Sequence, residues 1–289
     1  MRKPTKAIIT DAGYASRYLP IAKTIPKAML PLGNRPIIQL AVEECVEAGI
    51  REIIIVATPE GKPIYEDYFN NAVNHVRKQL RAQGKESRYD DVRHVLDFPK
   101  IRVIVQDPAL PYGNGSPIVS ARDYIADDEA FLAIYSDDVV LGASDAKELI
   151  DAFEKHPDAS SIIMAQEVDP EEVDKYGIIS LKKGNRLDNI VEKPAIGQAP
   201  STLASYGRYL LTPKVFDYLK PNMTSLDDEL WTVDAITKMA AQGDVFVETT
   251  KGRWMTTGDP KNYFLAHLKY VLDNEDYSEA VKDEIAKLK

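Results

Sequence analysis

The sequence predicts an α/β fold, a doubly wound mixed sheet, and two observations predict it. Along the first 170 residues, short strand-like apolar runs alternate with segments of helical periodicity. After residue 170 the rhythm changes to paired β runs, the signature of a smaller β subdomain woven into the same chain. Lys6 to Thr10 reads as a short buried strand, followed by a glycine-containing loop. From about Arg35 to Ala48, residues Ile38, Ala41, Val42, Cys45 and Val46 recur on one helical face, and Gly49 supplies the stop. Arg51 to Thr58 is the next strand, so the first unit is a parallel strand–helix–strand crossover.

Residues 60–97 read as polar helices and are long for a simple crossover, hence an insertion. Ile101 to Gln106 is a strand; the turn-rich stretch Asp107 to Ser116 leads into a helix ending near Ile125. Ala130 to Tyr135 is a strand running into Ser136-Asp137-Asp138, followed by a helix over 145–155 and a strand over 160–168. Tyr176 to Leu181 and Leu187 to Val191 flank Lys183-Gly184-Asn185 as a hairpin. A strand at Ser205 to Leu211, helices from Pro213 and Asp227, strands near 245 and 254, and a helix from Pro260 complete the chain. The segment after Asp273 reads as a surface helix or tail. No linker or repeat divides the sequence, so residues 1–289 are expected to form a single domain.

Composition excludes several classes. The net charge of −9 argues against a duplex nucleic-acid partner, although a small anionic ligand fits a local basic pocket. The single cysteine, Cys45, rules out an intrachain disulfide and a Cys-based zinc site, and its place on an apolar helix face makes it a core residue. No apolar run reaches the length of a membrane span, and the basic N-terminus precedes too short an apolar run for a signal peptide; a cytoplasmic location is the default.

Four constellations carry chemistry. The first is the loop Asp11-Ala12-Gly13-Tyr14-Ala15-Ser16-Arg17, with Lys23 and Pro26-Lys27-Ala28-Met29-Leu30-Pro31 beyond it. Ligands gather at the carboxyl ends of parallel strands, glycine permits close backbone approach, and Arg17 and Lys27 can hold phosphate oxygens. A solvated surface loop is the alternative. The second is Gln106 with Gly113-Asn114-Gly115-Ser116, otherwise a tight turn before a helix. The third is Ser136-Asp137-Asp138 at a strand end, where carboxylates can hold Mg²⁺ or simply face solvent. The fourth is Tyr176-Gly177 with Val191-Glu192-Lys193-Pro194, which by spacing alone is only a hairpin.

The run AGYASRYLPIAKTIPKAMLPLGNRPIIQLAVEECVEAGI resembles the N-terminal signature of the sugar-1-phosphate nucleotidyltransferases, and in its helix that of the glucose-1-phosphate uridylyltransferase branch. VEKP at 191–194, the ASYGRY strand at 204–209 and the DELWTVDAI segment at 228–236 extend the likeness over about residues 5–272. The resemblance implies a Rossmann-like sheet of nucleotide-diphospho-sugar transferase type. Residues 5–170 would be mainly the nucleotide-binding half, 171–272 mainly the sugar-binding half, and 273–289 a tail. It implies transfer of a uridylyl group from UTP to glucose 1-phosphate, giving UDP-glucose and pyrophosphate with Mg²⁺, and self-association. Ala12, Gly13, Gln106 and Gly113 would bind the nucleotide. Arg17, Lys27 and Lys193 would neutralise phosphate charge, Asp137 would hold the metal, and Gly177, Glu192 and Lys193 would meet the sugar phosphate.

The chain departs from the family pattern at four places. Ala15 and Ser16 replace the glycine and threonine of GxGTR, so a methyl stands where a positive φ is expected. Ala28 replaces a carboxylate. Thr256 stands where a second metal-binding aspartate is expected, leaving Asp138 or Asp259 to compensate. A non-catalytic sugar-nucleotide-binding homologue, another sugar-1-phosphate nucleotidyltransferase and a metal-dependent glycosyltransferase remain as alternatives.

Overall fold

The computed structural model describes residues 1–288, with Leu226 described by its backbone alone. In chain order the strands are β1 (Lys6–Asp11), β2 (Pro31–Leu32), β3 (Arg35–Pro36), β4 (Glu52–Ala57), β5 (Lys100–Val105), β6 (Phe131–Tyr135) and β7 (Asp138–Leu141), then β8 (Ser161–Glu167), β9 (Gly177–Leu181), β10 (Leu187–Glu192), β11 (Leu203–Leu211), β12 (Val245–Thr249) and β13 (Arg253–Thr256). The α-helices are α1 (Ile37–Glu47), α2 (Gly61–Asn70), α3 (Asn74–Ala82), α4 (Asp90–Leu96), α5 (Ser116–Ser120), α6 (Asp145–Lys155), α7 (Thr232–Gln242), α8 (Pro260–Asp273) and α9 (Glu275–Lys287).

β1, β4, β5 and β6 pair in parallel, as the strand–helix–strand reading requires. Consecutive residues of these strands enter different cores. Ile9, Ile53 and Ile55 pack with Ile38 and Val42 of α1, whereas Ile8, Ile54 and Val56 pack with Ile118 of α5 and Ile236 of α7. Both sheet faces are therefore covered, which is why these strands read as continuous apolar runs rather than alternating ones.

β11 joins the two halves. Its C-terminal residues pair antiparallel with β6, its N-terminal residues with β9, and its other edge with β8. The register breaks between Ser205 and Tyr209, so Tyr206-Gly207-Arg208 bulges where the parallel sheet meets the β9–β10 hairpin. Arg208 fills the bulge almost without exposure. Its guanidinium meets Glu44 of α1 at 2.9 Å and donates to the carbonyls of Tyr135 and Asp138 at 3.1 and 2.7 Å. Glu44 also accepts from Ala146 N–H at 2.9 Å, so the buried charge pair is satisfied on both sides.

Four readings are corrected. Asp138 does not lie in a solvated loop; it starts β7, which pairs with β13 as a separate two-stranded sheet. The helix expected from Asp227 starts at Thr232, because Trp231 is extended, and the one expected from Pro213 is a single 3₁₀ turn. The helix expected from Arg35 starts at Ile37, because Arg35 and Pro36 pair with β2. Cys45 is fully buried. No helix among the described residues is long and apolar enough to cross a membrane.

Candidate active site

Three carboxyl ends of the parallel sheet, those of β1, β5 and β6, open onto one cavity of about 290 Å³. Ala12, Gly13, Lys27, Gln106, Gly113 and Asp137 all line it, so the structure gathers six of the sequence-predicted residues in one place. A second cavity of about 430 Å³ adjoins it, sharing Asn114, Tyr135 and Trp231 as a wall. Arg17, Gly177, Glu192 and Lys193 line this second cavity. Arg17 thus stands on the far side of the wall from Lys27 and is exposed, whereas the sequence pattern suggested a single cationic turn.

Lys27 donates to Asp137 Oδ2 at 2.6 Å, with both side chains mostly buried. Burial works against charge on each, and the pair outweighs it: Asp137 is held below the usual carboxylate range and the Lys27 ammonium above its own. Asp11, also lining the cavity, accepts from Ser136 Oγ at 2.8 Å and from the Tyr65 hydroxyl, and burial pushes its pKa up against the pull of Lys27. Lys27 therefore stands as a fixed cation, with Asp137 beneath it at the end of β6.

Asp138 has a different task. Its carboxylate accepts from Gly207 N–H at 3.0 Å and from Trp254 Nε1 at 2.7 Å. Burial first and the neighbouring Asp137 charge second push its pKa up. Asp259 caps α8, accepting from Asn262 N–H at 3.0 Å and Asn262 Nδ2 at 2.6 Å. The carboxylates of Asp138 and Asp259 are both engaged within the protein, and both residues line the same cavity as Thr256. The Thr256 hydroxyl itself accepts from Gly258 N–H at 3.1 Å. Among the described residues, no group of three or more His, Cys, Asp or Glu side chains is arranged to hold a metal ion. A divalent cation that takes one oxygen from Asp137 and others from ligand phosphates would suit this donor set, a mode typical of Mg²⁺.

The other departures are absorbed locally. Ala15 adopts φ 47° and ψ 38°, so the loop keeps its left-handed turn at alanine rather than glycine. Such a conformation costs an L-residue about 1–2 kcal/mol. Ala28 is fully buried in the core that includes α1 residues, and it does not line the cavity. The next segment is tied down: the Tyr18 hydroxyl donates to Thr257 O at 2.6 Å, and Thr257 N–H donates to Asp137 O at 2.6 Å. These bonds tie the β1 loop, the β6 end and the β13 end into one frame, and Arg17 lines the same cavity as Gly258 and Asp259.

Backbone pairing also positions the turn after β5. Leu230 N–H donates to Tyr112 O at 2.7 Å, Gly115 N–H donates to Leu230 O at 2.8 Å, and Asn114 Oδ1 accepts from Thr232 N–H at 2.8 Å. A Cβ at Gly113 would lie 2.4 Å from Leu230 O at a φ of +130°, so only glycine fits. This contact brings Trp231 into the shared wall, a residue that sequence reasoning placed only in a helix motif. In the second cavity, Lys193 adopts φ 45°, a costly conformation of the kind concentrated at functional sites. Its Nζ lies 3.7 Å from Glu192 Oε1 and 5.9 Å from the Trp231 ring centroid. Burial raises the Glu192 pKa, and a Cβ at Gly177 would stand 3.0 Å from its Oε2, so a side chain at residue 177 would crowd this carboxylate. Tyr14, Tyr112, Tyr135 and Tyr176 also line the site or its rim; scattered tyrosines carry no spacing signal that would have found them.

A family model described as "Nucleotidyl transferase" matches residues 6–272. A protein of Staphylococcus saprophyticus subsp. saprophyticus named UTP–glucose-1-phosphate uridylyltransferase 2 is 37% identical over 294 residues, spanning 100% of this chain and 99% of that protein. The solved structure of UDP-glucose pyrophosphorylase from Acinetobacter baumannii superposes with a TM-score of 0.87 at 28% identity, covering 99% of this chain and 100% of the other. A UDP-glucose pyrophosphorylase complexed with UDP-glucose has a TM-score of 0.81 at 32% identity, covering 94% of this chain and 100% of the other.

Proposed function

Because the chain belongs to the nucleotidyl transferase family, we propose that it transfers a uridylyl group from UTP to glucose 1-phosphate, giving UDP-glucose and pyrophosphate. The single observation that carries this reading is the pair of contiguous cavities. One is walled by an amide, a glycine turn and an ammonium, the other by a carboxylate and an ammonium on a strained hairpin end.

In this reading the Gln106 amide pairs with the uracil edge, and the Gly113 turn lets the base lie against backbone. Lys27 meets the α-phosphate, where charge grows as the new bond forms. Glu192 accepts from sugar hydroxyls, Gly177 admits the ring, and Lys193 meets the sugar phosphate. Arg17, on the same side as the sugar, guides that phosphate toward the shared wall. The phosphate oxygen of glucose 1-phosphate attacks the α-phosphorus, the bond to the β-phosphate oxygen breaks, and pyrophosphate leaves with the electron pair. No protein nucleophile is needed; positioning and charge carry the rate. Held by Asp137 and substrate phosphates, Mg²⁺ would supply further charge neutralisation. Self-association belongs to the same reading and is supported by the exposed Phe264, Leu265 and Leu268 on α8.

Incubation with UTP, glucose 1-phosphate and Mg²⁺ tests it, with UDP-glucose and pyrophosphate quantified together. Equimolar formation of both is the expected result. Binding of UTP and UDP-glucose without turnover would make the chain a non-catalytic binder. Glucose transfer from UDP-glucose to an acceptor would make it a glycosyltransferase.

A further inference from the structure

Two tyrosines at the rim of the nucleotide cavity have no role in the mechanism above. Tyr14 follows Gly13 in the loop after β1, and Tyr112 precedes Gly113 in the turn after β5. Their rings stack across the gap between these loops, with centroids 5.5 Å apart and planes inclined by 3°. Both remain largely in water, at 78% and 51% exposure. Tyr112 lines the cavity that holds Gln106 and Gly113; Tyr14 lines a smaller hollow of about 200 Å³ on the other side of Gly13 and Lys27. An exposed aromatic pair bridging two ligand-binding loops offers flat π surface to solvent beside a polar cavity.

We propose that Tyr14 and Tyr112 form a stacking roof for the nucleobase, Tyr112 meeting the base and Tyr14 holding Tyr112 in plane. This rests on the nucleotide reading of the cavity and extends it. Every base has a π face, so the roof contributes affinity without choosing among bases. Selection falls to the Gln106 amide below it. The two contributions are therefore separable: removing a tyrosine weakens all nucleoside triphosphates together, whereas removing the Gln106 amide changes their ratio.

Titration calorimetry with UTP and with ATP, each with Mg²⁺, tests the proposal on the full chain. Tyr112→Ala and Tyr14→Ala are expected to weaken UTP binding on the order of tenfold. The UTP to ATP affinity ratio stays within twofold of the parent's, and Tyr112→Phe restores most of the loss, since a ring without its hydroxyl still stacks. Gln106→Ala shifts the ratio instead. Thermal melts accompany each variant, and Tyr112→Leu repeats the test with an apolar side chain that lacks a π face; it is expected to bind as weakly as Tyr112→Ala. Alanine and leucine variants that bind UTP within twofold of the parent would overturn the roof while leaving the nucleotide reading intact. A parent that binds no UTP would overturn both.

Discussion

Replacing Lys27 by methionine removes one charge and little volume, and its consequences divide cleanly between folding and reaction. In the free protein the Asp137 carboxylate loses a partner 2.6 Å away while staying mostly buried beside Asp138. Breaking a fully buried pair costs about 3–5 kcal/mol. These side chains keep 18% and 25% of their surface, so about 2–3 kcal/mol is expected after allowing for that hydration. For a chain of this size the loss lowers the thermal midpoint by roughly 4–10 °C. In the reaction the variant loses a fixed cation at the phosphorus under attack, which costs about 2.7–4 kcal/mol of transition-state stabilisation, or roughly a hundredfold to a thousandfold in kcat. UTP affinity falls far less, because the ground-state triphosphate keeps its other contacts. Lys27→Arg should recover part of the rate. Pyrophosphate release at saturating UTP and glucose 1-phosphate, with calorimetry for UTP, measures both quantities. A Lys27→Met protein with kcat within fivefold of the parent would refute the role given to the ammonium.

Three further outcomes follow from the geometry. Thr256→Asp places a second carboxylate at the end of β13, opposite Asp138 in the ladder; the half-saturating Mg²⁺ concentration for turnover should fall by about tenfold, and the thermal midpoint should drop without metal and recover with it. Gly113→Ala forces a methyl to within 2.4 Å of Leu230 O at a φ of +130°; denaturant unfolding should show a loss of about 2–3 kcal/mol, with UTP binding weakened by at least about tenfold as the turn withdraws from Leu230. His267 accepts from Gly33 N–H at 3.3 Å, and burial depresses its pKa. The unfolded chain therefore takes up this proton first as pH falls through about 6.5, so this group's stabilisation is full above that pH and is lost progressively below it. Urea titrations from pH 8 to 5 should show a slope that His267→Gln lacks; equal slopes would remove His267 from the explanation.

How far the sequence led depends on the kind of physics involved. The parallel strands were legible because both sheet faces are covered, which demands continuous apolar runs such as IIIVA at 53–57. α1 was legible because one face alone is apolar, which leaves a helical period. The gathering of Gly13, Lys27, Gln106, Gly113 and Asp137 was reachable through strand order, since loops at carboxyl ends converge. Long-range pairing was not legible. Nothing local to Ser136-Asp137-Asp138 announces that β7 will pair with β13, 115 residues or so away, or that both oxygens of Asp138 will be taken by Gly207 and Trp254. The alanine at position 15 read as an obstacle to a left-handed turn, yet the surrounding frame of Tyr18, Thr257 and Asp137 holds the loop in that conformation regardless. Arg17 is the converse case: adjacent in sequence to the glycine loop, it is turned by that same frame into the neighbouring cavity.

A crystal structure of this chain grown with UDP-glucose and Mg²⁺ bears most directly on the central claim, that one wall of Asn114, Tyr135 and Trp231 separates a base site from a sugar site. Uracil is expected against Gln106 and Gly113, glucose hydroxyls on Glu192, and the diphosphate crossing the wall within reach of Lys27 and Lys193. A sugar nucleotide seated wholly in one cavity, or with its ends exchanged, would contradict it.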